Sequence, residues 1–131
     1  MKFVFAALAL LAASACATEP DLTPKSGVPV AATTITYEGR VFTAGDHVRT
    51  RSRAGTFKPK DTGNVIDVNA DAGKTGILLG GIKRNDADAN IQVALVRFDP
   101  QTWNDTSSNQ SEVQLETFEA SIHVSYIEKV E

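Results

Sequence analysis

From Thr34 onward, no run of residues holds the i, i+3, i+4, i+7 apolar spacing of an amphipathic helix. Short segments rich in Val, Ile, Thr and aromatic residues instead alternate with Gly, Asp and Asn turns at intervals of about eight to twelve residues. That spacing restricts the domain to an all-β sandwich or barrel. Strands are expected over residues 34–43, 46–53, 63–69, 76–82, 91–98, 112–119 and 120–129, with room for one helical turn in 100–108. Residues 91–98 are apolar on both faces (Ile91, Val93 and Leu95 against Ala94, Val96 and Phe98), which predicts a central strand covered on both sides. Ile122, Val124 and Tyr126 alternate with His123 and Ser125, so the last strand is expected to have one buried and one solvated face.

The region before Thr34 obeys different rules. Met1-Lys2 precedes an unbroken apolar run from Phe3 to Ala13, too short for the ~20 residues of a membrane-spanning helix but suited to an export signal. The run ends in Ala13-Ser14-Ala15-Cys16, at the one cysteine of the chain. These four residues resemble the lipobox of bacterial lipoproteins. That resemblance implies that Cys16 is diacylated and becomes the first mature residue, and that Ala17 behind it directs the protein to the outer membrane. Ordinary cleavage after Ala15 or Ala17 also satisfies the small-x-small rule and would give a soluble periplasmic or secreted protein. A single thiol makes no internal disulfide in an oxidising compartment, and acylation would remove it. Residues 16–33 include three of the five prolines and few large apolar side chains, and read as a flexible tether. Extended at ~3 Å per residue, such a segment reaches about 50 Å. The division is therefore signal peptide 1–15, tether 16–33 and one domain over 34–131.

Within the domain, Gly45-Asp46-His47-Val48, then Gly55, then Gly63-Asn64-Val65-Ile66-Asp67-Val68, then the strand from Val93 to Phe98, is similar to the order found in small SH3-like barrels. The closing residues Val124 to Val130 look like the short last strand of that family. The resemblance implies a small antiparallel SH3-like barrel with an inserted loop from Asn104 to Glu119, preceded by the disordered tether. A lipocalin-like or sandwich topology remains an alternative.

The charge and motif pattern narrows the function classes. The net charge of −3 becomes −4 once Lys2 leaves with the signal, which does not suit a nucleic-acid binder. Asp67-x-Asn69-x-Asp71-x-Gly73 and Asp86-x-Asp88-x-Asn90 place oxygens on alternate residues, but neither has the glycine and glutamate of a calcium loop, and both read as polar turns. Gly73-Lys74-Thr75 lacks the earlier glycine of a phosphate loop. His47 and His123 stand apart from any metal-ligand spacing, and Ser121 and Ser125 lie in no Gly-x-Ser-x-Gly sequence. No cofactor, metal or catalytic residue is expected.

Two features suggest binding. Arg49, Arg51 and Arg53 recur at period two, and with Lys58 and Lys60 place five cations within twelve residues of an acidic chain. Guanidinium groups suit phosphate and carboxylate oxygens, so the row could meet an anionic lipid, the cell wall or an acidic protein. It could equally pair across a sheet with Glu112, Glu116 and Glu119. Trp103 precedes a polar run and reads either as a lid on the barrel or as a recognition residue beside Phe57 and Tyr126. The leading expectation is a non-catalytic envelope lipoprotein, anchored in the membrane through Cys16 and binding an envelope protein, cell wall or anionic lipid. The second is an inhibitor or immunity protein that inserts the loop over 100–111 into an envelope hydrolase or toxin. A small hydrolase is the third.

Overall fold

In the computed structural model the described residues are 20–52, 55–59, 67–85, 90–106 and 112–130. The fold is all-β, with the strands β1 (Thr34–Tyr37), β2 (Arg40–Thr43), β3 (His47–Thr50), β4 (Thr56–Phe57), β5 (Val68–Asn69), β6 (Thr75–Ile82), β7 (Val93–Phe98), β8 (Gln101–Asp105), β9 (Glu112–Leu115), β10 (Phe118–His123) and β11 (Ile127–Lys129). A 3-10 turn, Val124–Tyr126, joins β10 to β11. The principal sheet runs β10-β7-β6-β3-β11, a second sheet runs β4-β5-β8-β9, and β1 pairs with β2 as a separate hairpin. All these pairings are antiparallel.

The arrangement is barrel-like without closing. Strands β10 and β11, at the two ends of the principal sheet, are joined by the 3-10 turn rather than by hydrogen bonds to each other. The expected inserted loop is the β8–β9 hairpin, beginning at Gln101 rather than Asn104, and β4 and β5 join it to form the second sheet. Among the described residues after Pro100 there is a strand in place of the expected helical turn, because Trp103 alternates with Thr102 and Asn104 and points inward. The single strand expected over 34–43 is a hairpin. Glu38 and Gly39 both have positive φ (49° and 78°), the backbone twist a two-residue turn needs between right-twisted strands.

Strand β7 is central, as its two-faced apolar pattern predicts, lying between β6 and β10. Ala94, Val96 and Phe98 face a core shared by all three sheets, with Ile35, Phe42, Val48, Leu78, Trp103, Phe118, Val124 and Ile127. Val93 and Leu95 face the other way and, with Leu79 and Ile82, meet Leu22, Val28 and Val30 from the N-terminal segment. That cover corrects the expected tether. Residues 20–33 lie docked on the outer face of the principal sheet and belong to the folded unit; residues 16–19 are outside the described residues. Gly80 permits the close approach: its φ is 148°, and a Cβ there would lie 2.4 Å from Val30 Cγ1 and 2.8 Å from the Ala32 carbonyl oxygen.

Aspartate at Val96, which is fully buried, should unfold the domain, since an unpaired charge there costs several kcal/mol against a total stability of about 5–15 kcal/mol. Trp103→Ala should cost about 3–5 kcal/mol in denaturant titrations.

Candidate functional site

The described cations of the expected row are exposed but largely neutralised. Arg49, on the outward face of β3, sits directly across from Glu128 of β11 and pairs with it through Nε at 2.5 Å. Lys58 Nζ lies 3.2 Å from Asp67 Oδ1; outside the row, Lys129 Nζ lies 3.6 Å from Asp46 Oδ2. Arg51 is exposed and has no side-chain partner among the described residues; its backbone N–H donates to the Tyr126 carbonyl. Arg53 and Lys60 lie outside the described residues, as does Cys16. Among the described residues, Glu128 and Asp67, rather than Glu112, Glu116 or Glu119, are therefore the acids that meet the row.

Trp103 is neither a lid nor a recognition residue. It is fully buried, with Phe98, Phe118 and Phe57 at ring-centroid distances of 5.3, 5.1 and 6.3 Å, and its indole N–H has no hydrogen-bond partner among the described residues. This aromatic cluster packs the second sheet onto the principal one. Tyr126 stands elsewhere, at the 3-10 turn. The loop offered for an inhibitory contact is reduced accordingly: residues 101–105 are built into the second sheet, and 107–111 lie outside the described residues.

A second arrangement, not anticipated from sequence, grips the N-terminal segment. Arg97 of β7 and Glu119 of β10 are cross-strand partners, joined at 3.0 Å, with only 17% and 3% of their side chains exposed. Arg97 Nη1 donates to the Asp21 carbonyl, and Nη2 donates to the Thr23 carbonyl at 2.7 Å. Glu119 accepts the backbone N–H groups of Lys25 and Ser26 at 2.9 Å. Burial pushes the Glu119 carboxyl up, but the N–H groups of Lys25 and Ser26, with Arg97, outweigh it and hold the pKa below the usual glutamate value. Below the clamp, Ala31 N–H and Gly81 N–H exchange bonds with Gly81 and Ala32 carbonyls, each at 2.8 Å. Arg97 gave the signal for this in the sequence: it is the one charge inside a two-faced apolar strand, and such a charge needs an acid partner.

A third arrangement lies where the β1–β2 hairpin meets the 3-10 turn. Tyr37 packs edge-on to His123 with centroids 5.2 Å apart, and His123 meets Tyr126 at 6.4 Å. His123 caps the turn: its Nδ1 accepts the Ser125 N–H at 3.1 Å and lies 2.8 Å from Ser125 Oγ. It is thus half-buried and structural rather than an ordinary solvated residue. Arg40 donates to the carbonyls of Ile127 and Val124 at 2.7 and 3.3 Å, tying the hairpin to the turn. Beside this junction runs a groove of about 490 Å³ with β1 as one wall and Asn90, Ile91 and Gln92 as the other. Among the described residues, no group of three or more His, Cys, Asp and Glu side chains is placed to hold a metal ion.

Because Glu119 has a lowered pKa in the folded protein, its contribution to docking is complete above the ordinary glutamate value of about 4.3 and is lost as pH falls through the lower folded value. Protection factors for amide exchange at Lys25 and Ser26 should therefore be high at neutral pH and fall only as the pH drops below the ordinary glutamate value of about 4.3. Glu119→Ala should abolish that protection at every pH, hasten tryptic cleavage after Lys25, and cost about 3–5 kcal/mol by leaving Arg97 unpaired. His123→Ala should cost about 1 kcal/mol through the lost cap. Comparison with protein-family models, curated proteins and solved structures finds no match for this chain.

Proposed function

We propose that this chain is a non-catalytic binding module of the bacterial envelope, exported by residues 1–15 and anchored in the outer membrane through acylated Cys16. The docking of residues 20–33 carries the reading. The apolar run and its small-residue ending make an address. Beyond it, from Asp21 onward, the chain is firmly held by the Arg97–Glu119 pair. Five residues from Cys16 to Asp21 span at most about 17 Å, so an anchored domain would sit close to the headgroups rather than about 50 Å away. A domain held that close suits a component that collects a partner at the membrane surface. The five-stranded order β10-β7-β6-β3-β11, in which the last strand returns beside β3, supports the likeness to small SH3-like barrels. The partner is another envelope component, whether protein, cell wall or anionic lipid.

Cys16→Ser should move the protein from the membrane to the soluble fraction, since each buried acyl methylene contributes about 0.8 kcal/mol. Wild-type protein that is soluble, with an unmodified thiol by mass spectrometry, would overturn the anchor. The cationic row has its own test. Replacing Arg49 and Arg51 with Ser should shift stability by no more than about 1 kcal/mol, because the Arg49–Glu128 pair is exposed. If the row meets lipid, the same variant should bind anionic vesicles less, and wild-type binding should weaken as salt shortens the Debye length below about 8 Å.

A further inference from the structure

The segment leading into β1 pairs briefly with β6, and β1 itself has a neighbour on one side only among the described residues. At Ala32 the segment forms a single antiparallel rung with Gly81 of β6. Past that rung, among the described residues, β1 pairs only with β2. The Glu38–Gly39 turn is closed by Tyr37 and Arg40, so in this two-residue hairpin Tyr37 and Ile35 bond to Arg40 and Phe42. The N–H and C=O groups of Thr34 and Thr36 therefore point away from β2. Both threonines are exposed, line the groove, and have no backbone partner among the described residues.

We infer that this groove is a strand-addition site that takes an extended polypeptide segment of a partner protein, with the unpaired edge of β1 continuing the ladder begun at Ala32. The chemistry favours a peptide over a sugar or a lipid. One wall offers a repeating N–H and C=O pattern at the spacing of a strand, which only another extended backbone matches residue for residue. The opposite wall is lined by Asn90 and Gln92, whose side-chain amides offer donors and acceptors to the outer edge of an inserted strand, the Gln92 Oε1 lying also 3.4 Å from His123 Nε2. Tyr37 and Ile91, both partly buried, give alternate side chains of the incoming segment apolar contacts. Glu38, exposed at the turn end of the groove and without an ion-pair partner among the described residues, favours a Lys or Arg at that end of the peptide. The inference deepens the binding-module reading by naming its surface and the class of its partner. It does not depend on the anchor.

The test uses purified protein and a phage-displayed library of random heptapeptides, with the enriched sequence then synthesised. Thr36→Pro is the decisive variant. It removes an N–H that faces the groove but not one that bonds β2, and proline is tolerated at such an edge position. The synthetic peptide should bind Thr36→Pro at least tenfold more weakly than wild type. Glu38→Lys should disfavour peptides with a basic residue at the turn end, and methylation of alternate peptide amides should abolish binding in one register only. The Arg49/Arg51 double variant should bind as wild type does. The inference is overturned if no sequence is enriched, if enriched peptides bind Thr36→Pro equally well, or if both methylation registers are tolerated. It is also overturned if wild type proves to be a dimer that Thr36→Pro dissociates, because the occupant would then be a second copy of this chain. None of these outcomes bears on membrane release by Cys16→Ser, so the two proposals fail separately.

Discussion

The cross-strand pair of Arg97 and Glu119 holds the N-terminal segment onto the principal sheet. A largely buried ion pair returns little of its desolvation cost unless its remaining donors and acceptors are also satisfied. Here they are satisfied by backbone groups of residues 21–26. The pair therefore needs the N-terminal segment, and the segment, which among the described residues makes no backbone–backbone bond to a strand before Ala31, needs the pair. Apolar contacts depend on that grip. Leu22, Val28 and Val30 settle onto Leu79, Val93 and Leu95, and the outer face of β7 is closed to water.

The other face of β7 depends on the second sheet. Four short strands from two separate stretches of the chain would not hold together alone, since a hairpin is marginal without a face to bury. Trp103, Phe57, Phe98 and Phe118 supply that face. The second sheet thus thickens the core of a small domain. A chain of this length gains from the arrangement, because buried fraction rises with the size of the core.

With both faces of β7 covered, the edge of β1 stands out as a stretch of backbone without a second neighbour among the described residues. Natural β proteins usually protect exposed edges with charge, proline, twist or cover. Among the described residues none of these shields β1 over Thr34 and Thr36, and its edge opens into a groove rather than onto a flat surface. An anchor that holds the domain near the bilayer would present such an edge to proteins that share the membrane, and the grip on residues 21–26 would limit how far the domain could wander from it.

The sequence by itself determined the fold class and the central place of β7, because each rests on local pattern: period-two alternation and apolarity on both faces. It also held a clue to the docked segment, the lone Arg97 in an apolar strand. The tertiary structure alone decided what covered the second face of β7, because a proline-bearing segment without periodicity looks the same in sequence whether it is free or docked. It alone decided that Trp103 is buried, since its neighbours Phe57, Phe98 and Phe118 come from three other strands. Arg49 likewise met Glu128 rather than the nearer acids because β11 returns beside β3. The open edge of β1 was invisible for the same reason. Whether a strand has a neighbour depends on where the rest of the chain goes, and no local period records it.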